Sequence, residues 1–394
     1  MAELLSFLIV IAAGLFLSEV FRKFHLPYVV GLILAGVVIG PFGFNILEVD
    51  PTIDFLGTIG LVFLMFMAGL EIKFSSFRKT IGRAAKFSVI NGIVPFVAGF
   101  AVATYFGYNL IGASLLGIIF ISSSVAVVIP MMESLGMMKT KLGKLIVSGT
   151  ILEDIFSLLL FSLFLQILSP TTEIPLYLFY IIIFISLYAL RLLIPKAREY
   201  FHTLHDKSNS FEEELRFILV LLIGTVVFFE LLGMHPIIAG FFIGLVLSDS
   251  IKNKILLKKI HAISYGLFIP IFFLVIGAGM DVGVLFNGGG ALLLIGAVVG
   301  VSILAKFCSG WFATRIHGFT FQESAFAGTA TLPQLSTSLA VAFVGLEMGV
   351  IDDQLITAMI VLSIATTFFG PILMKSLASH YAKKESKAPE PILQ

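Results

Sequence analysis

Residues 117–136 read GIIFISSSVAVVIPMMESLG. The apolar residues on either side would make one long membrane-crossing helix, yet Ser122, Ser123 and Ser124, and then Pro130, interrupt it. Proline lacks the donor that the helical ladder needs and disturbs the turn before it. Carbonyls and helix ends freed in this way must face protein or water rather than lipid. A second segment, AFAGTATLPQLSTSLAVAFVG at 325–345, repeats the pattern with Thr329, Thr331, Pro333, Gln334, Ser336, Thr337 and Ser338 at its centre. Any one of these hydroxyls can simply bond within its own helix, but two matched interruptions carry more weight than either alone.

Composition establishes that these are membrane spans. A soluble domain has about 45–50% apolar residues and about 25% charged ones. This chain of 394 residues is 58% hydrophobic and 12% charged, with a mean hydropathy of +1.07. Its net charge of +1 argues against a nucleic-acid partner, and its single cysteine, Cys308, excludes an internal disulfide. Windows of about 20 apolar residues predict about thirteen spans, near 4–21, 27–44, 54–71, 85–107, 109–132, 144–168, 175–195, 214–233, 236–249, 263–280, 291–314, 323–346 and 354–378. The first lacks a basic n-region and exceeds a signal-peptide core, so it reads as a retained span. Lys and Arg fall in every second gap, among them Arg22/Lys23, Lys139/Lys141/Lys144 and Lys252/Lys254/Lys258/Lys259. The intervening gaps hold Glu48/Asp50, Glu173, Asp281 and Asp352/Asp353. Cytoplasmic loops carry the basic excess, which places the amino terminus outside and the carboxyl terminus in the cytoplasm of a multi-pass cell (inner or plasma) membrane protein.

Six spans precede the seventh and six follow it, so equivalent spans run in opposite directions, the arithmetic of an inverted repeat. The predicted fold is all-α and integral to the membrane. A single domain covers 1–380, with repeat one at about 1–170, a linker helix at 175–195 and repeat two at about 212–380. The polar end, 381–394, is expected to be a short disordered cytoplasmic tail. The fifth and twelfth spans hold matching positions in the two repeats, and in secondary transporters such a pair of interrupted spans points to the binding site.

Ionisable residues at mid-membrane depth are costly and mark ion pathways or proton relays. The segment GTILEDIFS at 149–157 places Glu153 and Asp154 mid-span, and GAVVGVSILAKFCSGW at 296–311 does the same for Lys306. Adjacent residues on a helix lie about 100° apart, so one acid can meet the lysine while the other faces a cavity. A glutamate is also long enough to hold the lysine and to leave it for a cation. The alternative is a Glu–Lys pair that only fixes helix packing. Glu71, at the cytoplasmic end of span three, and Glu230, near the outer end of span eight, are secondary candidates. Arg191 can snorkel to the interface, and Asp54 is placed to cap its helix.

FLMFMAGLEIKF at 63–74, FFELLGMHPIIAGFFIGLVLS at 228–248 and IPIFFLVIGAGMD at 269–281 are similar to segments of the monovalent cation:proton antiporter superfamily. The resemblance is to the branch with Kef-type and Nap-type members and covers nearly all of 1–380. It implies about thirteen helices in a 6+1+6 inverted repeat with two interrupted, crossing helices, the Nha-type antiporter fold. It also implies a homodimer with the first and seventh spans near the interface. Where sodium/proton members show Asp-Asp, electroneutral relatives Asn-Asp and potassium-efflux members Gln-Asp, this chain has Glu-Asp. The lysine-partner role falls to Glu153 and the ion-ligand role to Asp154.

The function so implied is secondary antiport of Na⁺ against H⁺, with Li⁺ or K⁺ as alternative cations, serving pH homeostasis. Asp154 would bind Na⁺ and a proton alternately, oxygens around Ser122, Ser123 and Thr150 would complete the shell, and Lys306 would hold Glu153. Ser124, Pro130, Thr331, Pro333 and Gln334 belong to the interrupted helices. Partners are monovalent cations, protons and the lipid bilayer; no cofactor and no enzymatic activity is expected. Three rival readings are a Kef-type K⁺/H⁺ antiporter, a proton-coupled organic-anion symporter and an intramembrane aspartyl protease. An adjacent acid pair repels anions, and GAGMD at 277–281 misses the protease motif Gly-x-Gly-Asp by one residue.

Overall fold

The computed structural model describes residues 2–23, 28–72, 81–168, 175–204, 210–248, 250–251, 253–281, 283 and 289–385. Among these residues there is no strand. In chain order the helices are α1 (Ala2–Lys23), α2 (Tyr28–Ile39), α3 (Pro51–Glu71), α4 (Ile81–Tyr105), α5 (Leu110–Ile121), α6 (Val125–Ser134), α7 (Lys141–Leu168) and α8 (Leu176–Leu204). They continue with α9 (Ser210–Leu231), α10 (Pro236–Leu247), α11 (Lys254–Ile263), a π-helical turn (Ser264–Phe268), α12 (Ile269–Ala278), α13 (Gly289–Ile316), α14 (Phe321–Ala330), α15 (Ser336–Glu347) and α16 (Asp353–Glu385). Among the described residues, eight helical stretches are long and apolar enough to cross a membrane. Shorter apolar helices at Tyr28–Ile39, Tyr177–Leu193, Pro236–Leu247 and Ser336–Glu347 also coincide with predicted spans.

The chain divides into two compact units. One is Met1–Arg78 with Leu158–Gly283, and the other is Lys79–Ser157 with Val284–Gln394. In the first, α2 packs on α1 and α12, and α3 packs on α10 and α12. Lipid provides no hydrophobic drive between helices, so close backbone approach through small residues takes its place. A Cβ on Gly277 would overlap the Ile33 carbonyl oxygen. Gly277→Ala is therefore expected to destabilise the protein by about 1–3 kcal/mol, read as a lower melting temperature in detergent. Gly296→Ala, where an added Cβ meets nothing within 4 Å, is the control and should melt like the parent.

In the second unit α4 packs on α5 and α13, and α13 packs on α14 and α16. Its apolar core includes Val128, Met132, Leu142, Ile146, Phe326 and Met374. A Cβ on Gly328 would overlap the Phe307 carbonyl oxygen, so the missing side chain lets α14 lie against α13 beside Lys306.

Several boundaries differ from the predicted ones. Lys254, Lys258 and Lys259, read as loop, belong to α11, because the same stretch buries Leu256 and Ile260 on one face while Lys258 stays exposed. Asn253 caps that helix by accepting from Ile255 N at 2.9 Å. The α8 backbone continues to Leu204 and α16 to Glu385, into segments read as connection and tail; 386–394 lie outside the described residues. The cap of α3 is Asp50, whose carboxylate accepts from Thr52 N and Ile53 N at 2.9 Å each, while Asp54 sits inside the first turn.

Candidate ion site

The site lies in the second unit, where both interrupted helices meet. After α5 the backbone is extended at Ser122 (φ −66°, ψ 145°) and Ser124 (φ −69°, ψ 103°) before α6 begins. Leu335 (φ −142°, ψ −90°) similarly precedes α15. The two breaks bond to each other. Ser124 N donates to Pro333 O at 2.6 Å, Ser123 Oγ to Thr331 O at 2.9 Å, and Gln334 Nε2 to Phe120 O at 3.3 Å. A helix leaves its last carbonyls without partners, and here side chains supply them. Ile118 O accepts from Ser157 Oγ at 3.1 Å, Phe120 O from Gln334, and Ile121 O from Lys306 Nζ. The lysine thus brings positive charge to the negative end of α5.

Glu153 and Lys306 are both fully buried and form an ion pair, Nζ to Oε2 at 3.0 Å. Lys306 Nζ also donates to Ser123 Oγ at 2.8 Å. With Ile121 O, its three hydrogens have three acceptors. The Glu153 carboxylate is also held by Asn91 Nδ2 at 2.7 Å from Oε1, and Ser123 Oγ lies 2.7 Å from Oε2, its one hydrogen shared between that oxygen and Thr331 O. Desolvating two charges is offset only when geometry supplies such additional partners.

Asp154 is held very differently. It is 3% exposed, and among the described residues the one hydrogen bond to its carboxyl comes from Ser122 Oγ, 2.5 Å from Oδ1. Thr337, in the first turn of α15, stands beside this carboxyl but forms no hydrogen bond. The hydroxyls of Ser124, Thr150 and Ser338 are likewise buried without a partner. Orphaned buried polar atoms are uncommon and call for a physical reason. Thr150 lies one turn before Asp154 on the same face of α7. A carboxylate with spare acceptor capacity among hydroxyl and carbonyl oxygens is a donor set that suits a hard cation.

Most of the predicted site residues come together here: Ser122, Ser123, Glu153, Asp154, Lys306, Thr331, Pro333 and Gln334, with Ser124 and Thr150 as unpartnered hydroxyls. Pro130 does not belong to the break. It sits within α6, and the three serines, not the proline, end the preceding helix. Glu71 is the last residue of α3 and Glu230, exposed, lies in the last turn of α9; both belong to the other unit. The sequence alone does not mark Asn91 or Ser309 as site residues, and it offers Thr337 only as one of several hydroxyls in the second interruption. Asn91 is a lone amide in the apolar run FSVINGIVPF at 87–96, a signal that identifies a polar residue without naming its partner.

The family described as the transmembrane sodium/hydrogen exchanger matches residues 6–378. The chain belongs to this family. Over 385 residues it is 32% identical to a probable Na⁺/H⁺ antiporter of Methanocaldococcus jannaschii, covering 97% of this chain and 98% of that one. It is 27% identical over 368 residues to the Na⁺/H⁺-K⁺ antiporter GerN of Bacillus cereus, covering 92% and 93% of the two chains. Among solved structures, the sodium proton antiporter MjNhaP1 of M. jannaschii matches with a TM-score of 0.68 at 18% identity, over 98% of this chain and 99% of that one. The two share a fold. Membership of an exchanger family places the chain among multi-pass membrane transporters, and the protease reading of its buried acids loses its basis.

Proposed function

We propose that the protein exchanges Na⁺ for H⁺ by alternating access, with Asp154 carrying the cation or the proton but not both. The observation that carries this reading is the contrast between the two acids. Glu153 is neutralised by Lys306 and held at both oxygens, whereas Asp154 has one donor and lies among unpartnered hydroxyls where two helices are broken. Ser122, Thr150 and Thr337 complete the cation shell with oxygen, and the transported ions are substrates, with no cofactor involved. Protonated Asp154 and Na⁺-loaded Asp154 are both close to neutral, so either form can cross a low-dielectric barrier that a bare carboxylate cannot. No covalent chemistry is assigned to the site. K⁺ or Li⁺ as the exchanged cation is the second reading, and the GerN relative favours testing K⁺ beside Na⁺.

The same proposal places the protein in a cell membrane with the amino terminus outside and the basic gaps in the cytoplasm. It treats 1–380 as one transporter domain, built as two repeats around the helix at 175–195. We further assign a homodimer through the first and seventh spans, where α1 exposes Leu4, Leu8, Leu15 and Phe16 and α8 exposes Tyr177, Phe184, Ile185 and Tyr188.

Competition for one carboxylate has a measurable sign. Protons occupy Asp154 as pH falls, so apparent Na⁺ affinity should weaken by about tenfold per pH unit once pH is below the carboxyl's midpoint. Binding above it should need no proton release, and binding below it should release one. Calorimetric titration in buffers of different ionisation enthalpy measures both quantities. A Na⁺ affinity that stays flat across the range in which exchange operates contradicts a shared site.

A further inference from the structure

Asn91, on α4, makes two hydrogen bonds that together close a ring. Its Nδ2 donates to Glu153 Oε1 at 2.7 Å, and its Oδ1 accepts from Ser309 Oγ at 2.6 Å. Ser309 lies one turn beyond Lys306 on α13, and Lys306 Nζ returns to the other carboxylate oxygen, Glu153 Oε2, at 3.0 Å. An amide can present either its NH₂ or its oxygen to a neighbour, and the neighbours decide which. The Glu153 carboxylate only accepts, so it takes the NH₂, and the amide oxygen is left to Ser309, whose one hydrogen is within reach of both Asn91 Oδ1 and Lys306 O at 3.1 Å. All four side chains of the ring are fully or almost fully buried, so water does not compete with them.

We propose that Asn91, with Ser309 against its amide oxygen, is a positioning residue that keeps Glu153 a fixed counter-ion of Lys306 and out of the cation shell. The inference rests on the Na⁺/H⁺ exchange reading above. Lys306 and Ser123 both hold Oε2, and Asn91 alone holds Oε1. Oε1 is therefore the oxygen that would otherwise be available to a cation at the neighbouring Asp154. With Asn91 in place, Na⁺ meets one carboxylate. Without it, a second carboxylate oxygen joins the shell, which binds the ion more tightly and releases it more slowly. The asparagine thus sets how firmly the cation is held rather than whether it is held.

The test is transport kinetics in proteoliposomes holding the full chain. Asn91→Leu keeps the side-chain size and removes the donor. It should lower the KM for Na⁺ by about three- to tenfold and lower kcat by a similar factor, and Glu153→Gln in the same protein should abolish the tightening. Ser309→Ala, a substitution a helix tolerates well, should give the same split to a smaller degree and decides the matter if Asn91→Leu does not fold. A merely structural role for Asn91 would lower kcat or yield while leaving KM unchanged or raised. That pattern in both variants overturns the inference. Absence of Na⁺-driven exchange in the parent protein would instead refute the exchange reading itself.

Discussion

Asp154→Asn is expected to fold and to exchange nothing. The amide has the size of the carboxylate, and its oxygen can still accept from Ser122 Oγ, which now reaches Asp154 Oδ1 at 2.5 Å. What it cannot do is release a proton or balance the charge of a cation. Removing a buried acid that no lysine neutralises directly also relieves a desolvation cost, so the melting temperature should hold or rise. Transport should fall to the level of vesicles without protein. Exchange near the parent rate, in vesicles shown to contain the variant, would remove Asp154 from the mechanism.

Lys306→Met is expected to have the largest effect on stability. Methionine keeps an unbranched side chain of similar reach, but it leaves the Glu153 carboxylate buried without a counter-charge and Ile121 O without its donor. Breaking a buried ion pair by removing one partner costs about 3–5 kcal/mol, enough to lower the melting temperature markedly. The cost belongs to the orphaned charge rather than to lost packing. Lys306→Met combined with Glu153→Gln should therefore melt close to the parent. A double variant that melts no higher than the single one would show that the orphaned charge does not carry the cost.

The parts of this architecture that were legible in the sequence are those written as chemistry within one window. Two apolar runs broken by Ser122–Ser124 and by Thr331–Gln334 carry their own contradiction, because a free backbone group has no place in lipid. Glu153, Asp154 and Lys306 stand out for the same reason. What one window does not encode is the direction in which a side chain points. Asn91 and Ser309 look like ordinary tolerated polar residues until α4 and α13 are packed together. Lys254, Lys258 and Lys259 suggested a loop because charge outweighed the spacing of Leu256 and Ile260. Pro130 drew attention as a helix breaker, yet α6 runs through it and the serines end α5.

If Asp154 exchanges a proton for Na⁺ across the membrane, a cation gradient alone must move lumenal pH. Reconstituted vesicles with a pH-sensitive dye in the lumen test it directly, by separate external pulses of Na⁺, Li⁺ and K⁺. Inward movement of Na⁺ should drive protons out and make the lumen alkaline, and Asp154→Asn vesicles should show no change. A lumenal pH that responds to none of the three cations, in vesicles containing folded protein, would contradict the account.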